Sequence, residues 1–479
     1  MARPGRAGAM GGDTLSPDNH DEMSEKHLVV VGGAGPAGMS VANVMSKRGH
    51  EVVILNRDVK FGGLAEYGIF PNKHKLRGGL RKGYWEILSR PNVHYFGNVT
   101  IGEGKHLTVA ELKALEASVL VFSTGAQGTK TIGVEGDTAQ GVYHAKDCVY
   151  HYNLLPGFST RPFEMGQRVA VIGIGDVMVD IAHWLSRRRR IGEVHVVVRR
   201  GPAERKYNPK EIRAVCAYID GAALQQEIDR VAPRLEAVGQ TPEKVLTEMR
   251  SEFTKYEPAE SQTTIKFHFL SSPKRVLTDA ENRVIGLEIE DTKLEPKGAD
   301  LAAVGLKTYY SLPCDSVVFA VGDRVDDTLG LPYKSGIFIT NPHRTTNDPD
   351  DSLFQAFDEA TGQVIPGVFL CGWARKASEG LVGVAKRDGE WCSEVVLRYL
   401  AGRPPLGEPE IAEKIRKLET LLVGRQPELV RADGLTALNE MERQEGQRRD
   451  IEEFKFPTNE EMVAAIRKKK QDMKESVLR

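Results

Sequence analysis

His27-Leu28-Val29-Val30-Val31-Gly32-Gly33-Ala34-Gly35-Pro36-Ala37-Gly38 is a short β-branched run that stops in glycine and restarts as a helix-compatible stretch, MSVANVMSKRG, before a second apolar run, Glu51-Val52-Val53-Ile54-Leu55. Strand, glycine turn, helix and strand within one short segment make a βαβ unit. The glycines have separable tasks. Gly33 permits the tight turn out of the strand. Gly35 removes a side chain so that main chain can approach a pyrophosphate. Gly38 lets the helix lie close to the sheet, with its N-terminus aimed at the phosphates. An acidic residue to grip a ribose is expected at the end of the second strand. Asn56 stands there, followed by Arg57 and Asp58; an amide can still hydrogen-bond ribose hydroxyls, without a charge.

The grammar recurs. Val169-Ala170-Val171-Ile172 runs into Gly173-Ile174-Gly175-Asp176-Val177-Met178, then a helix-like VMVDIAHWLSRRRR and the strand Glu193–Val198. The two fingerprints lie too far apart for one Rossmann half and suit two nucleotide domains. In the second, Met178 replaces the third glycine, and the following strand ends in Arg199-Arg200 with no carboxylate. Guanidinium groups pair bidentately with phosphate, so this points to NADP, with NAD possible; the competing reading is that these arginines make surface salt bridges.

The glycine-dense stretch Phe61-Gly62-Gly63-Leu64-Ala65-Glu66-Tyr67-Gly68-Ile69-Phe70-Pro71 suits main chain wrapped around a long, flat ligand. Two later apolar strands ending in small-residue turns, Val121–Ala126 and Val318–Asp323, are consistent with a first domain split in sequence. Gly367–Gly372 then forms a strand ahead of Trp373 and of a helix starting near Gly380 and Leu381. The expected fold is α/β, with two Rossmann-like dinucleotide-binding domains. The first, for FAD, is discontinuous (27–152 and 325–402), and an NADP domain (153–324) is inserted in it. Residues 1–26 read as a disordered tail and 403–479 as a charged helical C-terminal extension with a solvated face.

The chain has 479 residues, 41% hydrophobic and 27% charged, with a net charge of -1. That is ordinary for a globular protein of two or three domains, and no nucleic-acid or membrane partner is expected. No apolar run is long enough for a spanning helix and no signal peptide is evident, so a cytoplasmic location is expected. The five cysteines, Cys148, Cys216, Cys314, Cys371 and Cys392, show no Cys-x-x-Cys spacing. That argues against a short-spaced redox disulfide, a resident iron–sulfur cluster or another metal site.

Taken together, VVGGAGPAG, FGGLAEYGIFP, YFGNVTIG, VVVRRGPAERKYNPKEIR, LPCDSVVFAVG and GVFLCGWARKASEGLVG resemble the adrenodoxin reductase family of ferredoxin–NADP reductases from about Leu28 to Leu400. The resemblance implies FAD contacts at Ala37, Leu64, Val99, Trp373 and Gly380-Leu381-Val382. It implies NADP contacts at Gly175 to Met178, Arg199, Arg200 and Glu211, with Gly380 near the nicotinamide. It also implies hydride exchange between NADPH and FAD, coupled to single-electron transfer with a ferredoxin-type iron–sulfur protein, and no side-chain nucleophile or essential acid or base. Ala377 replaces a family glycine. Thr241-Pro242-Glu243-Lys244 stands where members serving acidic ferredoxins carry a basic run. The departure at 241–244 and the C-terminal extension leave open a second reading, an electron-transfer subunit of a larger oxidoreductase.

Overall fold

Four apolar runs, Leu28–Gly32 (β1), Glu51–Asn56 (β2), Val93–Gly97 (β3) and Val119–Phe122 (β4), pair in parallel with β1 between β2 and β4. Their side chains are buried on both faces, which is why they read as continuous apolar runs rather than alternating ones. The computed structural model describes residues 26–130, 132–253, 256–298, 300–377 and 381–478. The expected disordered tail, apart from Lys26, lies outside them. Helices α1 (Pro36–Lys47) and α2 (His74–Leu88) belong to this first sheet.

The chain then crosses to a second sheet. It begins with the short strand Val142–His144 (β5) and helix Ala145–Tyr152 (α3), and continues through Arg168–Ile172 (β6), Asp176–His183 (α4), Glu193–Val197 (β7) and Thr264–His268 (β8). Between β7 and β8 lie the helices Gly221–Glu236 (α5) and Pro242–Glu252 (α6). An antiparallel meander follows, Ser271–Thr278 (β9), Val284–Lys297 (β10) and Asp300–Pro313 (β11), before Ser316–Phe319 (β12) returns to the sheet. Its strand order is β5-β12-β6-β7-β8, all parallel. Gln355–Asp358 (β13) and Gln363–Leu370 (β14) then close the first sheet beside β4.

The inserted arrangement expected from sequence is therefore present, but the first crossing comes earlier than residue 152. Gly128–Thr129 pairs antiparallel with Asp323–Arg324, so both connections run side by side. β5 already belongs to the second sheet. Three residues at a sheet edge carry no periodicity of their own, so nothing local marked this boundary. Lys146 anchors it, donating to the carbonyls of Gln127 at 2.5 Å and Gly128 at 2.7 Å.

Each sheet separates two apolar layers. Val29, Val31, Val52 and Ile54 face one side of the first sheet, and Val30, Val53 and Leu55 the other. The C-terminal extension is helical, Glu408–Arg425 (α8), Ala432–Arg448 (α9) and Asn459–Leu478 (α10), and it packs on the body. Ile411, Leu418 and Leu422 join one layer, while Leu435, Leu438, Met462 and Val463 join the other. The charge runs occupy the outer faces of these helices, and the sparse leucines between them form the buried stripe.

Candidate functional site

At the end of β1, Gly33 has φ +105°, and a Cβ there would lie 2.7 Å from the carbonyl oxygen of Ser123. A side chain at Gly38 would collide with the Gly33 carbonyl and the Ser123 hydroxyl. Gly35 differs: a Cβ on it meets no protein atom within 4 Å. It is the N-cap of α1, whose first turn has no side-chain cap and no acidic residue. The orphan N–H groups and positive dipole end therefore face open space at the one position where the protein itself does not demand glycine.

The Phe61–Gly68 stretch folds over this turn. The Gly62 N–H donates to the Ala34 carbonyl at 2.7 Å, and a Cβ on Gly63 would approach the Gly35 Cα at 3.1 Å. Leu64 opens the short helix Leu64–Tyr67 and is half-buried. The Tyr67 hydroxyl is buried without a hydrogen-bond partner among the described residues. From the other side, α7 (Val382–Ala401) comes so close to α1 that a Cβ on Gly389 would strike the Ala37 carbonyl, and one on Gly372 would lie 2.7 Å from the Ala37 Cβ. Trp373 follows directly on this turn. Buried Asp388 holds this turn, accepting from the Gly372 N–H at 2.6 Å and pairing with Arg375. Leu381 is the N-cap of α7 and is 53% exposed. Val382 opens the helix, again without a side-chain cap. Gly380 lies outside the described residues.

Asn56 and Val99 have other duties. Asn56 is 6% exposed; its Oδ1 accepts from the Ala34 N–H at 3.0 Å and its Nδ2 donates to the carbonyls of Asp58 and Lys60 at 2.8 and 2.9 Å. The amide ties the glycine turn to the loop after β2, so the ribose hydrogen bond expected of it has no free N–H to draw on. Val99 is 1% exposed and packs in the apolar layer with Leu55 and Leu107, its side chain committed to the core.

The second cradle repeats the first. A Cβ on Gly173 would lie 2.5 Å from the Ala320 carbonyl oxygen, whereas one on Gly175, the N-cap of α4, meets nothing within 4 Å. Met178 is 1% exposed within the core, so here the helix packs through a side chain rather than a glycine contact. Val177 is exposed on the outer face. The Asp176 carboxylate at this N-terminus accepts from the Asn208 N–H at 2.6 Å. Arg199 is exposed and Arg200 half-buried, and among the described residues neither guanidinium makes a hydrogen bond or ion pair. The salt-bridge reading of these arginines does not hold. Sequence reasoning missed Lys206, whose main chain runs beside the second glycine, its N–H donating to the Ile174 carbonyl at 3.1 Å, and whose side chain is exposed. Only the return of a distant loop places it there.

One segment connects the cradles. After Gly62 and Gly63, it brings Phe70 onto His183 of α4, rings stacked at 4.2 Å, and Lys73 onto Glu211 at 2.5 Å. Asp180, one turn into α4, faces Lys73, Glu211 and Asp176; burial pushes its carboxyl up to about 7, against the pull of Lys73. Burial likewise pushes His183 down to about 4, so its imidazole is neutral at pH 7. All five cysteines are buried and unpaired. Among the described residues no cluster of histidine, cysteine or acidic side chains is arranged to hold a metal ion. No helix there is long and apolar enough to cross a membrane.

Two glycine cradles, each open at its second glycine beneath an uncapped helix, fit a dinucleotide apiece. Comparison with known proteins agrees. Residues 26–220 match the pyridine nucleotide-disulphide oxidoreductase family. The chain is 26% identical over 471 residues to the NADPH-ferredoxin reductase FprA of Mycobacterium leprae, covering 91% of this chain and 98% of that protein. It is 25% identical over 475 residues to the mitochondrial NADPH:adrenodoxin oxidoreductase of Arabidopsis thaliana, covering 92% and 95%. Mycobacterium tuberculosis FprA, solved in complex with NADPH, shares the fold with a TM-score of 0.75 at 23% identity, over 92% of this chain and 99% of that one. Along nearly its whole length the chain is similar in sequence to ferredoxin–NADP reductases of the adrenodoxin reductase type, and it shares the fold of one of them.

Proposed function

We propose that the chain is an FAD-dependent NADPH oxidoreductase that exchanges electrons singly with a ferredoxin-type iron–sulfur protein. The observation that carries this reading is the pair of cradles, each closed to a side chain by the protein at its first glycine and open at its second. The second cradle is flanked by two arginines without side-chain partners among the described residues. The names of the relatives, NADPH-ferredoxin reductase and NADPH:adrenodoxin oxidoreductase, support the same substrate pair.

Hydride acceptance and release of electrons one at a time are supplied by FAD when bound in the first cradle. The protein's part is placement. The α1 N-terminus and Gly35 receive the FAD pyrophosphate, with Ala37, Leu64, Trp373, Leu381 and Val382 around the remainder. The α4 N-terminus and Gly175 receive the NADP pyrophosphate, and Arg199 and Arg200 take the 2′-phosphate that distinguishes NADPH from NADH. The Asp176 carboxylate at this N-terminus is held by the Asn208 N–H. Lys73 and Glu211 link the two domains. Buried, unpaired cysteines suit a reducing compartment, and a cytoplasmic location belongs to this reading.

The carrier protein is the part to test. FAD-loaded chain is mixed with NADPH and a [2Fe–2S] ferredoxin, and bleaching of the ferredoxin is followed. NADPH-dependent reduction over many turnovers is expected. Reduction of ferricyanide but of no ferredoxin would overturn the choice of acceptor and favour an electron-transfer subunit within a complex.

A further inference from the structure

Resting on FAD occupying the first cradle, we propose that the segment Ile451–Pro457 of the C-terminal extension is a strap that retains the flavin by pinning the Phe61–Pro71 loop, with Lys455 as its positioning residue. The loop needs an external hold. Gly62 and Gly63 both have positive φ, +105° and +50°, and a glycine pair in this conformation loses much backbone freedom on ordering.

The hold is a buried charge cluster. Glu66 is 2% exposed in the middle of the loop, and Arg81 grips it through Nε and Nη2, both at 2.6 Å. Lys455, 389 positions along the chain, donates to the Glu66 main-chain carbonyl at 2.8 Å, lies 3.1 Å from its carboxylate and sits over the Tyr67 ring. Burial alone would raise the Glu66 carboxyl; the surrounding Lys60, Lys455 and Arg81 hold it well below the usual carboxylate range.

The remaining contacts extend the strap along the loop's flank. Glu453 pairs with Arg77 and, at 2.6 Å, with Arg81; Glu452 lies 2.6 Å from His74; and the Ser159 hydroxyl donates to the Pro457 carbonyl at 2.5 Å. Lys60 turns from Glu66 to Glu442 of α9 at 2.6 Å. Glu66, the one charged residue of the loop, and Lys60 just before it are thus each paired with a residue of the extension. The main chain beside Gly35 is thus held in part through contacts made after residue 440. Removing one ammonium from this cluster leaves Glu66 under-compensated in a dry site, and the loop opens more often.

The test compares FAD-loaded wild type with Lys455→Met and Lys455→Arg, measuring flavin release after dilution by the recovery of free-flavin fluorescence. Hydrogen exchange is measured separately at residues 61–68. Release about tenfold faster in Lys455→Met, restored towards wild type by Lys455→Arg, with the apparent constant for NADPH of the loaded enzyme unchanged, is the expected result. Wild-type flavin release together with unchanged exchange at 61–68 would overturn the strap while leaving the flavin reading intact. A wild-type chain that takes up no FAD would instead overturn that reading, and the exchange comparison alone would then judge the strap. If Lys455→Met does not fold, Glu453→Gln takes its place with the same two outcomes.

Discussion

A methyl group on Gly35 would meet no protein atom within 4 Å, whereas one on Gly38 would collide with the Gly33 carbonyl. The two substitutions should therefore part company. Gly35→Ala is expected to melt as wild type does and to lose FAD affinity, while Gly38→Ala should cost about 1–3 kcal/mol of stability whether or not flavin is present; thermal melts with and without FAD separate them. Arg199→Ala combined with Arg200→Ala should raise the apparent constant for NADPH on the order of tenfold to a hundredfold and leave that for NADH nearly unchanged. Equal effects in steady-state kinetics would sink the 2′-phosphate assignment. Asp180 gives a pH signature. Its carboxyl is pushed up to about 7 from an ordinary 3.8, with Lys73, Glu211, Asp176 and the Tyr152 ring around it. The folded state keeps a proton that the unfolded chain gives up, so this group's contribution to stability declines as pH rises from about 4 through 7. Melts between pH 5 and 8 should show a smaller decline for Asp180→Asn than for wild type. The arginines and the glycines could be read from sequence because each depends on its position within one βαβ unit. The Asp180, Lys73 and Glu211 grouping could not, since three distant segments build it. Asn56 was visible as a departure, but its duty was legible only once the Ala34 N–H was seen to depend on it.

Helix α8 shows how a charged element can belong to a core. Leu422 is fully buried in an apolar layer of the first sheet, although neighbouring positions read as a solvated helix. Leu422→Ala should destabilise the whole chain by about 2–5 kcal/mol, measured by denaturant unfolding; a change near zero would mean that the extension is peripheral. The stripe Ile411, Leu418 and Leu422 recurs at helical spacing, but it is thin, and charge dominates any local average. The β1-turn-α1-β2 and β6-turn-α4-β7 units were legible because their strands are apolar on both faces and their turns are glycine. β5, three residues at a sheet edge, was not, which is why the expected domain boundary fell too late. The rival reading, a partner held through residues 403–479, also changes at this scale. The apolar stripe of that extension is already buried against the first sheet, so a partner would have to be bound through its charged outer face.

Across the whole molecule, one segment, 61–73, touches the first fingerprint at Gly62, the extension at Glu66 and the second domain at Phe70 and Lys73. Flavin retention, extension docking and domain placement thus share a single stretch of chain. The antiparallel pairing of Gly128–Thr129 with Asp323–Arg324 brings the two connections between the sheets together. The most direct measurement is an anaerobic titration of the FAD-loaded chain with NADPH and, separately, with NADH, following the flavin absorbance. Full bleaching by NADPH at concentrations where NADH has little effect is the predicted result. A chain that cannot be loaded with FAD, or a flavin that NADPH does not bleach, would contradict the account at its centre.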